Sequence, residues 1–290
     1  MAMRELDVPV ERCTYPGSEG LTLVGDAFGD AANPPALLFH GGGQTRHSWA
    51  GTAVRLAQAG WYAVSVDLRG HGESGWDPEG AYRSTGFRDD VIEVARSFDQ
   101  PALIGASLGG ISSLLAVHEA GNELARALVL VDIATRMEQS GADRIMNFMK
   151  DGLQGFDTLE DVADAVAAYN PHRPRPKDVS GLEKNLRKGD DGRWHWHWDP
   201  AFMSPSSDGD GKLVSQQVLD AAAASLTLPT LLVRGKMSDL LSEEGAKTFL
   251  GQVPHAEFAD VSGAGHMVAG DKNDAFSDAV LAFLAKTLRQ

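Results

Sequence analysis

The stretch ALIGASLGGISSLLAVHEA, residues 102–120, has the pattern of a strand, a tight turn and a helix. ALIGA is a short apolar run of the kind that forms a buried strand, and ISSLLAVHEA has a helical pattern. Between them, Gly105-Ala106-Ser107-Leu108-Gly109 is a G-x-S-x-G sequence in the strand, turn, helix context of a nucleophile elbow. Glycines two residues before and after the serine allow strand and helix to approach each other closely. The stretch therefore predicts a nucleophilic Ser107 in a strained turn.

A second glycine-rich segment, His40-Gly41-Gly42-Gly43-Gln44, ends the apolar run ALLFH. Attack by a serine creates an oxyanion that needs N–H donors, and the Leu108 N–H at the start of the helix is one of them. We predict the Gly42 N–H as the second donor, with Gly43 as its nearest competitor. The alternative is a plain glycine-rich strand-to-helix turn, with or without a role in phosphate binding. The segment lacks the G-x-x-x-x-G-K-[ST] pattern of a nucleotide loop.

A serine hydroxyl is a poor nucleophile near neutral pH and needs a base within hydrogen-bond reach. His266, in SGAGHMVAGD, is the predicted base because glycines precede it and because it lies between the last apolar strand and the terminal helix. A carboxylate has to hold this imidazole in one tautomer. Asp239, just past TLLVRG, is predicted for that role and gives the order nucleophile, acid, histidine. Asp132, at the end of ALVLVD, is the alternative acid.

Apolar runs alternate with helical patterns from residue 36 onward, which is typical of βαβ units and a mainly parallel sheet. Strands are predicted at 36–40, 62–67, 102–106, 127–132, 230–235 and 256–261. Two earlier segments, 12–15 and 21–28, predict an antiparallel hairpin at the sheet edge. Helices are predicted at 48–59, 86–98, 108–120, 242–251 and 274–288. The fold class is therefore α/β, with an eight-stranded, mostly parallel sheet and helices on both faces.

The alternation stops after Thr135 and resumes at LPTLLVRG. Residues 1–134 and 227–290 are predicted to form the core, and residues 135–226 a capping insertion, because structureless loops of that length are rare in compact domains.

The insertion contains Trp194-His195-Trp196-His197-Trp198. In an extended segment Trp194, Trp196 and Trp198 would share one face and the two imidazoles the other. The indoles are predicted to face the substrate or, alternatively, to pack the cap onto the core. His195 and His197 lack a third ligand, so no metal is predicted.

The chain resembles the α/β-hydrolase superfamily over essentially its full length. The resemblance rests on FHGGG, DLRGHGES, GASLGG, VRGKMSD and GAGH, which occur in that order. It implies the α/β-hydrolase fold, a cap domain at the insertion, and a scaffold role for Arg69 and His71 in the turn after the fourth strand. The branches with an aspartate nucleophile, haloalkane dehalogenases and epoxide hydrolases, are disfavoured because Ser107 stands at that position.

The 290 residues carry a formal net charge of −14, which repels phosphate backbones and anionic lipid head groups. Neither nucleic acid nor a membrane is expected as a partner. No run reaches the about 18 apolar residues of a membrane span, and the N-terminal segment lacks the roughly 7–15-residue apolar core of a secretion signal. A cytoplasmic location is expected. The single cysteine, Cys13, has no partner for an internal disulfide.

The sequence thus predicts a serine hydrolase that cleaves carboxylic esters of small or medium acyl groups through Ser107, His266 and Asp239, with an acyl-enzyme intermediate. No cofactor is predicted, the partner is a small-molecule ester, and a homodimer is left open. Carbon-carbon bond hydrolases, lactonases and cofactor-free haloperoxidases or perhydrolases are alternatives on the same triad, because the superfamily hosts all of them. A non-catalytic ligand-binding protein of the same fold is a further alternative.

Overall fold

One eight-stranded sheet forms the centre of the molecule. The computed structural model describes residues 8–171, 175, 178–204, 214–265 and 273–288. The strands in chain order are β1 (Val10–Pro16), β2 (Thr22–Phe28), β3 (Pro35–Phe39), β4 (Tyr62–Val66), β5 (Ala102–Ala106), β6 (Ala127–Val131), β7 (Leu186–Lys188), β8 (Trp194–Trp196), β9 (Thr230–Gly235) and β10 (Glu257–Val261). The central sheet has the order β1-β2-β4-β3-β5-β6-β9-β10, and β7 and β8 form a separate hairpin.

The strand directions follow the predicted pattern. β1 pairs antiparallel with β2, and β2 pairs antiparallel with β4, so the hairpin lies at the sheet edge. The other pairs in the central sheet are parallel. The prediction of an eight-stranded, mostly parallel α/β sheet is confirmed. The carboxyl ends of the parallel strands meet at one edge, where such sheets place their sites.

Helices cover both faces of this sheet. They are α1 (Ala50–Gln58), α2 (Ser84–Arg96), α3 (Leu108–Ala120), α4 (Gln139–Asp151), α5 (Leu159–Tyr169), α6 (Gln216–Ala224), α7 (Glu243–Gln252) and α8 (Asn273–Thr287). Apolar side chains of α2, α3, α6 and α7 form one core layer, and those of α1 and α8 form the other. Alternate residues of β5 enter the two layers, Leu103 the first and Ile104 the second, as the period of two in a strand requires.

The insertion between β6 and β9 holds α4, α5 and the β7–β8 hairpin. α6 closes it and packs against α3, with Leu219, Ala222 and Ala223 buried in the same layer as Val117. This last helix therefore lies with the layer that covers the sheet, although it falls within 135–226.

The DLRGHGES segment ties the turn after β4 to its neighbours. Arg69 is fully buried, and its guanidinium donates to both carboxylate oxygens of Asp90 on α2, at 2.6 and 2.8 Å, and to Glu19 at 2.6 Å. The buried Asp67 accepts the Arg46 N–H at 2.6 Å. These contacts support the scaffold role that the resemblance implies for Arg69.

Candidate active site

Ser107 occupies the turn between β5 and α3 with φ 46° and ψ −113°. This left-handed conformation is rare for a residue with a side chain and is held by the surrounding backbone. The Ser107 N–H donates to the Val131 carbonyl at 3.2 Å, and its own carbonyl accepts from Ile111 at 2.9 Å. The elbow is thus fixed between β6 and the first turn of α3.

The glycines of the elbow are required by close backbone contacts. A Cβ added at Gly105 would lie 2.4 Å from the Gly109 carbonyl oxygen, and one at Gly109 would lie 2.4 Å from the Phe39 carbonyl oxygen. A Cβ at Gly110 would lie 2.4 Å from the Ile133 side chain. These distances give the physical reason for the G-x-S-x-G-G pattern.

Gly109→Ala is expected to lower the free energy of unfolding by about 1–3 kcal/mol or more, because the new methyl group would press on the backbone of β3. Gly251→Ala is the matched control, since a Cβ at Gly251 in α7 has nothing within 4 Å. That change should leave stability equal or raise it by up to about 1 kcal/mol. Urea unfolding of both variants tests this, and equal stabilities would contradict the packing described for the elbow.

The Gly41–Gly43 loop lies directly against the elbow. A Cβ at Gly41 would be 3.4 Å from Ser107 Cβ, and one at Gly42 would be 3.8 Å from the Leu108 side chain. The Gly43 N–H donates to His71 Nε2 at 3.1 Å. Within the part of the chain that the structure describes, neither the Gly42 N–H nor the Leu108 N–H donates to a protein acceptor. This favours Gly42 over its competitor Gly43 as the second oxyanion donor.

The two acidic candidates have different surroundings. Asp132 is fully buried at the end of β6, with φ 51°. Its carboxylate accepts the Gly235 N–H at 3.0 Å and the Ser238 hydroxyl. The Asp239 side chain is 39% exposed and accepts from Arg144 of α4 at 2.9 Å. A triad carboxylate is buried and accepts hydrogen bonds, so the described geometry favours Asp132, the alternative acid, over Asp239.

His266, the predicted base, lies outside the described residues. The backbone just before it is described. Met237 N–H donates to the Ala264 carbonyl at 2.9 Å, and a Cβ at Gly235 would lie 2.3 Å from the Gly265 carbonyl oxygen. Residues 264 and 265 therefore run beside Gly235, whose N–H is bonded to Asp132.

A cavity of about 1170 Å³ lies between the elbow and the insertion. Gly42, Ser107 and Leu108 line it from the core. The side chains that α4 and α5 add are largely apolar, among them Ile145, Met146, Phe148, Met149 and Val166. The lining also contains polar side chains, among them Ser107, Gln44 and Asn185, and a concave site that combines apolar and polar groups is typical of small-molecule binding.

The three tryptophans do not all line the cavity. Trp196 and Trp198 line the cavity, and Trp196 packs against Phe148 and Phe156 with ring centroids 5.6 and 5.3 Å apart. Trp194 is not among the cavity-lining residues, and Lys188 Nζ lies 4.7 Å from its ring centroid. The sequence predicts an extended segment over residues 194–198 that puts all three indoles on one face. In the structure β8 spans only Trp194–Trp196.

Sequence reasoning gave no role to several groups around the oxyanion loop. His40 is fully buried there, and Met149 and Phe202 of the insertion lie against the loop, since a Cβ at Gly43 would be 3.1 Å from Met149 and one at Gly42 would be 3.6 Å from Phe202. His40 belongs to the FHGGG motif, so its contact with the glycine loop could have been predicted from the sequence. Met149 and Phe202 have no such signal, because nothing in their local pattern indicates contact with a loop more than a hundred residues earlier in the chain.

No group of three or more His, Cys, Asp or Glu side chains among the described residues is arranged to hold a metal ion. His195 is paired with Asp191 at 3.0 Å. No helix in the described ranges is long and apolar enough to cross a membrane.

The sheet order and the serine at the β5–α3 elbow define the class of α/β hydrolases. The model of the alpha/beta hydrolase family matches residues 36–279, and the chain belongs to that family.

Relatives with named activities are hydrolases. The chain is 29% identical to esterase Rv0045c of Mycobacterium tuberculosis, over 85% of this chain and 81% of that protein. It is 27% identical to the 3-hydroxybutyrate-oligomer hydrolase of Cupriavidus necator, over 82% and 85% of the two chains. The crystal structure of E-2-(acetamidomethylene)succinate hydrolase is similar with a TM-score of 0.83 and 25% identity, over 96% of this chain and 99% of that one. The predicted family and the predicted hydrolase class are confirmed.

Proposed function

We propose that the chain hydrolyses carboxylic esters of small or medium acyl groups by two-step acyl transfer, with Ser107 as nucleophile, His266 as base and Asp132 as the carboxylate that orients it. The observation that carries this proposal is the strained Ser107 between two backbone N–H groups, Gly42 and Leu108, that have no acceptor among the described residues. Asp239 stays the alternative acid.

In the first step Ser107 Oγ gives its proton to His266 and attacks the ester carbonyl carbon. The tetrahedral oxyanion is stabilised by the Gly42 and Leu108 N–H groups, helped by the N-terminal end of α3. The carbon–oxygen bond to the alcohol then breaks, and the alcohol leaves with the proton from His266. Water attacks the acyl-enzyme by the same route and releases the acid.

The ester class is supported by the relatives and by the cavity. One relative is named as an esterase and another as a hydrolase of 3-hydroxybutyrate oligomers. The apolar side chains of α4 and α5 offer contact to an acyl chain, and burial of apolar surface contributes about 25 cal/mol per Å².

The direct test is a hydrolysis screen across p-nitrophenyl esters of increasing acyl length, lactones and aryl esters, with fluorophosphonate labelling read by peptide mass spectrometry. We expect turnover of short or medium esters and a label on Ser107. The screen includes a vinylogous diketone, peroxide with acetate, and 2-(acetamidomethylene)succinate, because turnover of one of these without ester hydrolysis would favour another reaction on the same site. Absence of both label and turnover would favour a ligand-binding protein.

Trp196→Ala is expected to lower kcat/KM for the preferred ester by about 10-fold or more, because a cavity-lining indole contributes on the order of 1.5–3 kcal/mol of apolar contact. Trp194→Ala is the matched control two residues away and outside the cavity lining, and it should change kcat/KM by less than about threefold. Steady-state kinetics on both variants separate the two. An equal loss would show that the indoles act through cap packing.

A further inference from the structure

The Gly41 carbonyl, next to the proposed oxyanion donor, is held by two hydrogen bonds. His40 Nδ1 lies 2.8 Å from it, and the Gln44 N–H donates to it at 3.1 Å. The described chain has no cis peptide, so the Gly41 carbonyl and the Gly42 N–H belong to one trans plane and point in opposite directions. Fixing the carbonyl therefore fixes the direction of the Gly42 N–H. A flip of this peptide would break both hydrogen bonds.

The protonation of His40 is set by its other nitrogen. Nε2 accepts the Leu68 N–H at 3.0 Å, so the proton of the neutral ring is on Nδ1 and is donated to Gly41. The ring is fully buried, and this burial lowers the pKa of His40 despite the Asp67 carboxylate 4.0 Å away. His40 is therefore a neutral, rigid Nδ1–H donor at neutral pH.

His71 fixes the next peptide of the loop, but as an acceptor of its N–H group. Its Nδ1–H donates to the Arg69 carbonyl at 2.9 Å, and its Nε2 accepts the Gly43 N–H at 3.1 Å. Burial, with His40 nearby, lowers the pKa of His71 to about 3, so the acceptor nitrogen stays unprotonated. The Gly41 N–H is taken by Gln44 Oε1 at 3.1 Å. Of these three successive N–H groups, the flanking two are occupied, and the middle one, of Gly42, has no acceptor among the residues that the structure describes.

We propose that His40 is a positioning residue of the active site, which aims the Gly42 N–H at the oxyanion by holding the Gly41 carbonyl. His71 completes the arrangement because it withdraws the competing Gly43 N–H. The inference rests on the proposed function, since it concerns the orientation of one donor of that site. His40 touches no reacting atom and acts through the Gly41–Gly42 peptide.

The test compares His40→Gln with His40→Asn. Asparagine carries an amide NH₂ near the position of Nδ1 and can still donate to Gly41, whereas glutamine carries its amide near Nε2. Loss of an oxyanion donor costs about 10²–10³ in kcat, so we expect kcat of the Gln variant to fall by about 10²-fold with KM unchanged, and the Asn variant to recover most of that loss. The inhibition constant of a trifluoromethyl ketone should rise by the same factor as kcat falls, which a mere loss of packing would not produce.

A Gln variant that folds and keeps kcat within about threefold of the wild type would overturn the inference. Equal losses in the Gln and Asn variants would overturn it as well. Should the Gln variant fail to fold, a crystal structure of the wild type with the trifluoromethyl ketone bound to Ser107 decides the question. We expect its oxyanion about 2.7–3.1 Å from the Gly42 nitrogen. An oxyanion bound by the Gly43 nitrogen would refute the role of His40.

Failure of the proposed ester hydrolysis and failure of the role of His40 give different experimental results. A wild type that neither hydrolyses esters nor takes a fluorophosphonate on Ser107 contradicts that function itself. An active, labelled wild type with an equally active Gln variant contradicts only the role of His40.

Discussion

Ser107→Ala is expected to lower kcat for ester hydrolysis by about 10⁴–10⁶-fold. The acyl-enzyme cannot form without the hydroxyl, and the two backbone donors can only assist a direct attack by water. The fold should persist, because alanine and serine have the same strain at φ 46° and the Ser107 backbone bonds remain. We therefore expect kcat of Ser107→Ala to fall by this factor while its melting temperature stays the same as that of the wild type.

Ser112→Ala is the matched control for this loss. Ser112 lies in α3, the helix that follows Ser107, and is buried, and its hydroxyl donates to the Leu108 carbonyl at 2.7 Å. Its removal should change kcat by only a few fold, since an internal hydrogen bond of this kind contributes about 1 kcal/mol. Active-site titration with a fluorophosphonate corrects the rates of the wild type and of Ser112→Ala for inactive protein, and the melting temperature is the check on folding for Ser107→Ala. Retained activity in a folded Ser107→Ala variant would place the nucleophile elsewhere.

The sheet and the elbow were predictable because they depend on local pattern. β5, β9 and α3 begin and end at the predicted residues, since glycines and apolar runs mark their ends. The hairpin of β1 and β2 also forms at the expected edge. The motif alone predicts Gly42 rather than Gly43 as the donor, and the structure supports this prediction with a contact that the motif does not contain, the Gly43 N–H donating to His71, 28 residues further along the chain.

The contacts of the insertion and the identity of the acid were less predictable because they depend on side-chain direction across long separations. Both Asp132 and Asp239 follow a strand of the parallel sheet, so spacing places them at the same edge. What separates them is Arg144 in the insertion, which binds one carboxylate at the surface. Trp194 and Trp196 likewise belong to one short strand, but their rings meet different side chains, Lys188 for Trp194 and the rings of Phe148 and Phe156 for Trp196.

Asp132→Asn is expected to lower kcat by about 10⁴-fold, because an amide in place of the triad carboxylate favours the wrong tautomer of the base and cannot stabilise its cation. Asp239→Asn should lower kcat by less than about threefold, since that carboxylate is part of an exposed ion pair with Arg144, and such pairs contribute about 1 kcal/mol or less. Both variants are compared by kcat and by the pH dependence of kcat/KM. Melting temperatures are the check on folding, because Asp132 also accepts the Gly235 N–H and its substitution could weaken the fold. A large loss in Asp239→Asn with a small one in Asp132→Asn would assign the acid to Asp239.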